Sequence, residues 1–170
     1  IFDVHNQFIG FGVRVLDDSL PKYMNSPDTP LFDKSKNLYG LNYARTSGKN
    51  QILIVEGYMD VISLYQAGFE NVVASLGTAF TYQQASLLKR YTGEVVIIYD
   101  SDTAGTNAAL RAIPILSSAG LKIKVVQVPG EKDPDDFIKQ NGPEAFQQLL
   151  DHAMGAVTFQ VSVLRKKYNI

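Results

Sequence analysis

The chain has 170 residues, of which 45% are hydrophobic, and a formal net charge of −1. This length suits one or two compact domains, and the balanced charge predicts that any nucleic-acid-binding surface is local. No apolar run approaches the roughly 20 residues that a membrane-spanning helix needs. With no cysteine and two histidines, the chain forms no disulfide, fits a reducing compartment, and offers too few soft ligands for a zinc site.

Residues 1–38 differ in composition from the rest of the chain. Strands are predicted over residues 1–6 and 8–17, joined by a polar turn, and the three prolines of residues 19–30 predict an extended, irregular segment. Basic and amide side chains in this region suit contacts with phosphates, although they equally suit a solvated surface. They are Arg14, Lys22, Asn25, Lys34 and Lys36.

Beyond residue 38, helices and strands are predicted to alternate. A short helix over residues 38–47 comes first. Four apolar runs follow at residues 51–55, 72–74, 94–99 and 123–128, each ended by a polar turn, as in strands buried on both faces of a parallel sheet. Their alternation with helices favours right-handed crossovers. The predicted helices cover residues 58–67, 81–91, 103–119, 134–139, 143–153 and 156–168.

Carboxylates follow three of the four predicted strands. Because the carboxyl ends of parallel strands share one edge of a sheet, where ligands bind, we expect these acids to meet there. If the acids after the first and third strands share metals, those strands are neighbours, which suggests the strand order 2-1-3-4. The acids are Glu56 and Asp60, then Asp100 and Asp102, then Asp133, Asp135 and Asp136.

Crowded carboxylates need a counter-cation. Two of them about 4 Å apart repel by roughly 4 kcal/mol at an effective dielectric constant near 20, a large fraction of the stability of a domain. Oxygen ligands suit Mg²⁺ or Mn²⁺, and a pair of such ions supports phosphoryl or nucleotidyl transfer. Asp102→Asn is therefore expected to abolish transfer and to stabilise the metal-free fold.

Each acid also has a simpler interpretation. Asp133-Pro134-Asp135-Asp136 is a favoured start for a helix, either Asp100 or Asp102 could cap another, and Glu56 could be an ordinary turn residue. Their coincidence at one predicted edge favours the metal site. The chain has no P-loop and no glycine-rich dinucleotide fingerprint after its strands.

The acids and the strings around them resemble a known family. A glutamate after one buried strand and an Asp-x-Asp after a later one resemble the Toprim domain of primases, topoisomerases, RecR-like repair proteins and certain nucleases. The strings VEGYMDV, ASLGTAFT, YDSDTAG and KDPDDFI, at residues 55–61, 74–81, 99–105 and 132–138, closely resemble bacterial DNA primase. Residues 9–41 resemble the basic subdomain that precedes Toprim in these primases.

The resemblance implies an α/β fold with a Toprim-type four-stranded parallel sheet flanked by helices. A small β-rich basic subdomain would precede the sheet, and C-terminal helices would follow it. The implied boundaries are residues 1–48, 49–140 and 141–170. Because the chain starts at Ile1, without Met and inside a predicted strand, we interpret it as a fragment of the RNA polymerase core.

The resemblance also implies a function. The family makes short RNA primers on single-stranded DNA from ribonucleoside triphosphates, by nucleotidyl transfer, in the bacterial cytoplasm at the replication fork. Its catalytic acids map onto Glu56, Asp100 and Asp102. Its metal ligands map onto these three with Asp60, Asp133 and Asp135, and hold two or more Mg²⁺ or Mn²⁺ ions. Its template- and nucleotide-facing residues map onto Arg14, Lys22, Asn25, Lys34 and Lys36.

The chain departs from the family pattern in a few places. Ser101 stands where many primases have glycine, and the string FDKSK, residues 32–36, replaces a commoner one with His and Arg. The zinc-binding domain, the first part of the polymerase core and the helicase-binding region of the family lie outside this chain, so we expect metal and nucleotide binding to exceed primer synthesis. A Toprim nuclease and a non-catalytic Toprim DNA-binding module remain the alternatives.

Overall fold

The chain forms a parallel-rich sheet with helices on both faces, preceded by a small antiparallel sheet. A computed structural model describes residues 1–16, 20–100, 102–130 and 133–169. The small sheet pairs β1 (Gly12–Arg14) with β2 (Tyr23–Asn25). The main sheet contains β3 (Gln51–Val55), β4 (Val72–Ala74), β5 (Glu94–Tyr99), β6 (Lys122–Gln127) and β7 (Met154–Gly155). The helices are α1 (Leu41–Ala44), α2 (Tyr58–Gln66), α3 (Tyr82–Lys89), α4 (Thr103–Ser118), α5 (Pro134–Asp151) and α6 (Ala156–Tyr168).

The strand order of the main sheet is β4-β3-β5-β6-β7. The first four strands are parallel, which confirms the predicted order 2-1-3-4. The prediction of four strands is corrected to five, because β7 pairs antiparallel with β6 at the sheet edge. A strand of two residues is too short to show an alternating pattern, so no signal in the sequence could have found it.

Helices cover both faces of the sheet, which explains the continuous apolar runs of its strands. Alternate strand residues such as Ile52 and Ile54 pack with α3 and α4 in one buried cluster. Their neighbours Leu53 and Val55 pack with α2 and α5 in the other. The two faces of the sheet are called the α3/α4 face and the α2/α5 face below.

The helix prediction after β6 is confirmed with one change. The predicted helices over residues 134–139 and 143–153 form one helical span, α5, with a kink at Gly142. Gly142 has φ 80° and ψ 173°, so the Gly-Pro pair does interrupt the regular backbone, but without separating the two parts.

The N-terminal elements are shorter than predicted. The strand over residues 1–6 reduces to a single bridge between Phe2 and Phe8, and the strand over 8–17 reduces to β1, with residue 17 outside the described residues. Part of the segment predicted to be irregular forms β2. The helix over 38–47 reduces to α1, which starts only after Gly40 because the φ of 83° at that residue is not helical.

Candidate functional site

The loops after β3 and β5 meet, as the strand order requires. Glu56 Oε1 accepts a hydrogen bond of 3.2 Å from the Asp100 backbone N–H. Burial raises the pKa of Glu56, and the nearby charges of Asp100 and Asp102 raise it further. These carboxylates are thus close enough to repel one another through a partly desolvated medium.

Asp60 joins the loop after β3 to the loop after β6. Its side chain lies in the first turn of α2 and is only 7% exposed. Oδ2 accepts from the Gly57 N–H at 3.0 Å, and Oδ1 accepts from the Asp135 N–H at 3.2 Å. Burial raises the pKa of Asp60 to about 7 against these two hydrogen bonds, and the charges of Asp133 and Asp100 add to the effect. Asp60 therefore links the two loops by hydrogen bonds. The edge of the sheet that carries these carboxylates is called the acidic edge below.

Asp102 and Asp133 are both helix caps. Asp102 Oδ1 accepts from the Gly105 N–H at 2.7 Å at the start of α4. Asp133 Oδ1 accepts from the Asp136 N–H at 2.6 Å at the start of α5. The capping interpretation is correct for both, yet it does not exclude a metal-binding role. A cap occupies one oxygen of each carboxylate and fixes the direction of the other.

The acids after β6 form a tight group. Ligand oxygens of Asp133, Asp135 and Asp136 lie within 4.8 Å of one another. Asp135 Oδ1 accepts from the Ser63 hydroxyl, and its Oδ2 pairs with Lys139 Nζ at 2.7 Å. Asp136 was not among the predicted metal ligands. Asp135 was among them, and it already forms an ion pair with Lys139 of its own helix.

Asp100 contributes a buried carboxylate oxygen to the acidic edge. Among the described residues, no hydrogen bond reaches the buried Oδ1 of Asp100. Burial raises the pKa of Asp100, with the charges of Asp133 and Asp102 as further causes. A buried oxygen without a donor, surrounded by other carboxylates, is a position that a divalent cation with oxygen ligands fits.

The raised carboxyl pKa values give the metal-free fold an unusual pH dependence. Since the folded-state pKa of Glu56, Asp60 and Asp100 exceeds the unfolded value, the folded state holds extra protons. The contribution of these groups to the free energy of unfolding is present at acidic pH. It is lost as the pH rises through about 7, the pKa of Asp60 in the folded state. We expect the free energy of unfolding in a chelator to fall by a few kcal/mol between about pH 5 and pH 8.

Thermal unfolding across this pH range, with and without Mg²⁺, measures the effect. Added Mg²⁺ should oppose the loss at high pH, because the cation binds the ionised carboxylates. Asp60→Asn serves as the control, since an amide gains no proton and should flatten the slope. A metal-free melting temperature that increases towards pH 8 would contradict the expectation.

Two of the predicted basic residues form ion pairs, and two others form none with the residues that the structure describes. Arg14 lies over the Tyr23 ring, 5.6 Å from its centre, and Lys22 is exposed. Lys34 Nζ is 3.9 Å from Asp28, and Lys36 Nζ is 2.8 Å from Asp33. The last two cations are therefore partly neutralised by acids of their own segment.

Asn25 fastens the small sheet to the acidic edge. Its Nδ2 donates to the Leu76 carbonyl oxygen at 3.0 Å, and its Oδ1 accepts from the Tyr58 hydroxyl at 2.6 Å. Leu76 follows β4 and Tyr58 follows β3, so β1 and β2 lie beside the carboxyl ends of the parallel strands. The described part of residues 1–38, called the basic segment below, thus lies beside the acids, and Asn25 connects the two.

Gln84 is a structural residue that the sequence analysis missed. It is fully buried in α3, and its Oε1 accepts from the Thr81 N–H at 3.0 Å. Its Nε2 donates to the carbonyl oxygens of Lys34 and Asn37, at 3.0 and 2.9 Å. The Thr-x-x-Gln spacing of a capping box was the available signal, although it does not reveal the two contacts with the basic segment.

Gln84→Glu is expected to destabilise the fold by about 3 kcal/mol or more at neutral pH. The new carboxylate would keep the Thr81 N–H at one oxygen, but its other oxygen would face two carbonyl oxygens in place of the donor that they need. The neighbouring Gln83→Glu makes the same change on the exposed side of α3 and should alter the free energy of unfolding by less than about 0.5 kcal/mol. Urea unfolding of both variants measures the difference, and equal stabilities would contradict the role given to Gln84.

Nothing in the described ranges suggests a membrane span, since none of their helices is both long and apolar enough to cross a bilayer.

Comparisons with known proteins agree with this geometry. A family model described as Toprim-like matches residues 53–138, and one described as the N-terminal domain of the DNA primase catalytic core matches residues 1–45. A DNA primase of Clostridium acetobutylicum is 53% identical over 171 residues, which cover 100% of this chain and 29% of that protein. A DNA primase of Aquifex aeolicus is 46% identical over 154 residues, which cover 89% of this chain and 31% of that protein.

Solved structures give the same result. The zinc-binding and RNA polymerase domains of the Aquifex aeolicus primase superpose with a TM-score of 0.89 at 41% identity, covering 99% of this chain and 43% of that one. A DnaG primase catalytic domain bound to single-stranded DNA gives 0.90 at 40% identity, covering 98% and 56%. The chain therefore spans under a third of the two curated relatives and about half of these solved domains.

Proposed function

Since the chain belongs to the Toprim-like family, in its DNA primase branch, we propose that it carries the metal- and nucleotide-binding part of a primase catalytic core. The proposed reaction is template-directed synthesis of short RNA primers on single-stranded DNA by nucleotidyl transfer. The observation that carries the proposal is the convergence of the carboxylates from three loops around Asp100, whose buried Oδ1 has no hydrogen-bond partner among the described residues.

The residues that would hold the metals are those of the acidic edge. Two or more Mg²⁺ or Mn²⁺ ions would be bound by oxygens of Glu56, Asp100, Asp102, Asp133 and Asp135, with Asp60 at the base of the same set. Such ions, when bound, supply a lower pKa for the attacking 3′-hydroxyl and neutralise the charge of the leaving pyrophosphate. Asp136, which lies with Asp133 and Asp135, is a further candidate ligand.

The remaining chemistry of the site is positioning. Asp60 holds the loop after β6 against the loop after β3 through two backbone hydrogen bonds. The caps formed by Asp102 and Asp133 fix both side chains at helix starts, where helix dipoles stabilise negative charge. Catalytic carboxylates held in this way need little reorganisation when the substrate binds.

The basic segment would contact phosphates of the template strand or of the nucleoside triphosphate. Arg14 and Lys22 are exposed and so accessible to such phosphates. Lys34, Lys36 and Asn25 would first have to exchange their internal partners. Because base pairing reads the template sequence, backbone contacts suffice, and we expect template binding to weaken steeply with salt.

The nuclease and the non-catalytic module are the weaker alternatives, since the relatives found are DNA primases. A nuclease would degrade labelled single-stranded DNA in Mg²⁺ or Mn²⁺, which a primase should leave intact. A non-catalytic module would bind DNA irrespective of divalent metal and nucleotide. For the complete protein we propose a bacterial cytoplasmic location, with an RNA primer as product and the replicative helicase as partner outside this chain.

Crystals of the chain soaked in Mn²⁺ and ATP test the proposal. Anomalous peaks between Glu56, Asp100 and Asp133, with a triphosphate attached, are the expected result. A solvent-accessible edge without peaks would leave Asp102 and Asp133 as helix caps only and Glu56 and Asp100 without a metal-binding role, and the proposed nucleotidyl-transfer site would be lost from this chain.

A further inference from the structure

A cleft of about 420 Å³ opens beside Glu56 on the α3/α4 face of the sheet. One wall is the loop after β4, where Gly77 and Thr78 expose backbone and a hydroxyl. The other wall is one side of α4, and Tyr99, the last residue of β5, also lines the cleft. The α4 wall consists of Ala108, Arg111, Ala112 and Ile115. The volume falls in the range of small-molecule sites, and it would hold about one nucleotide.

Arg111 is the cation of this cleft. It is exposed, and within the described part of the chain it forms no ion pair or hydrogen bond, although Glu56 lines the same cleft. Ala108 and Ala112, one turn apart, leave space beside it. The cleft therefore combines an unpaired guanidinium with an apolar wall, which suits a phosphate joined to a sugar and base.

The cleft and the group of acids after β6 lie on opposite sides of Glu56 and Asp100. Asp60 and Asp135 belong to α2 and α5, which pack on the α2/α5 face, whereas α4 packs on the α3/α4 face. An in-line displacement needs the attacking oxygen and the leaving oxygen on opposite sides of the phosphorus atom. A triphosphate held over the α2/α5 side would thus leave the cleft to the attacking strand.

We propose that this cleft receives the 3′-terminal nucleotide of the growing RNA strand, with Arg111 donating hydrogen bonds to its phosphate. The inference rests on the proposed function, because it assigns the second substrate of the same reaction. The 3′-oxygen of the RNA strand forms a bond to the α-phosphorus of the nucleoside triphosphate. The bond from that phosphorus to the oxygen that bridges the α- and β-phosphates breaks. Pyrophosphate leaves with the electron pair, and the hydroxyl proton passes to water. Arg111 is here a strand-positioning residue.

The test uses a fluorescent RNA hexanucleotide with a free 3′-hydroxyl, titrated with the chain in Mg²⁺ at several salt concentrations. Arg111→Ala should weaken RNA binding about tenfold, as expected for one charge-assisted contact, and should lower the salt slope by about 0.7. Arg45→Ala removes the same charge from an exposed position after α1 and should change neither quantity. Ala108→Leu, which fills the cleft without changing charge, should weaken binding at all salt concentrations.

A photoreactive 4-thiouridine at the 3′ end of the same RNA locates the strand. Crosslinks to residues 75–80 or 108–115 are expected. Crosslinks elsewhere, no RNA binding by the unaltered chain, or equal affinity of Arg111→Ala and the unaltered chain would overturn the proposal. ATP binding in Mn²⁺, measured in parallel, separates the two levels. If the unaltered chain binds ATP but the RNA does not bind or crosslink at the cleft, only the assignment of the cleft is wrong. If the unaltered chain does not bind ATP, the proposed function is rejected.

Discussion

Asp100→Asn is expected to remove metal-dependent triphosphate binding while raising the melting temperature of the metal-free chain. The asparagine retains the size of the side chain but removes the charge of a carboxylate whose Oδ1 is buried and accepts no hydrogen bond from the part of the chain that the structure describes. It also relieves the repulsion with Asp102 and Asp133 that, together with burial, raises the pKa of Asp100. Loss of a central ligand should weaken triphosphate binding in Mn²⁺ by roughly 100-fold or more.

Glu70→Gln is the matched control for this experiment. It removes one negative charge from an exposed position in the turn before β4, away from the acidic edge. Calorimetry with ATP and Mn²⁺, and thermal unfolding in a chelator, should find Glu70→Gln unchanged in both measurements. If Asp100→Asn were less stable than the unaltered chain without metal, the electrostatic cost assigned to the edge would be wrong.

Asp102→Asn is expected to change the metal-free stability in the same direction as Asp100→Asn, but by less. The Asp102 charge also raises the pKa of Glu56 and Asp100, but Asp102 is exposed, so water screens part of that repulsion, and one of its oxygens caps α4. Asp100, two residues earlier, carries the buried oxygen. Which carboxylate of Asp-x-Asp caps the helix depends on how the turn enters the helix, which composition and spacing do not specify.

The sheet and the placement of the acids could be predicted because simple rules determine both. Continuous apolar runs identify strands covered on two faces, and parallel strands place their following loops at one edge. The hydrogen bond that Asp60 accepts from the Asp135 N–H could not be predicted, because the two residues are 75 positions apart. Asn25 likewise donates to the Leu76 carbonyl oxygen across 51 positions, a contact that motif spacing does not reveal.

Gly105→Ala is expected to destabilise the fold and to disturb the acidic edge simultaneously. A Cβ at this position in α4 would lie 2.2 Å from the Asp100 carbonyl oxygen and 2.8 Å from Glu56 Oε1. Alanine gains about 1 kcal/mol of helix propensity over glycine, but a clash with backbone costs about 3 kcal/mol or more, so the clash dominates. Relief of the clash must move the backbone of Asp100, and with it the Glu56 contact.

Gly93→Ala provides the control, since an added Cβ there meets nothing within 4 Å and the residue lies outside the positive-φ glycines. Its free energy of unfolding should stay within about 0.5 kcal/mol of the unaltered chain. Gly105→Ala should show a lower urea midpoint and, at a temperature where it is still folded, weaker ATP binding in Mn²⁺. A variant that lost stability but bound ATP normally would show that the junction of Asp100 and Glu56 tolerates displacement, and that Gly105 serves packing alone.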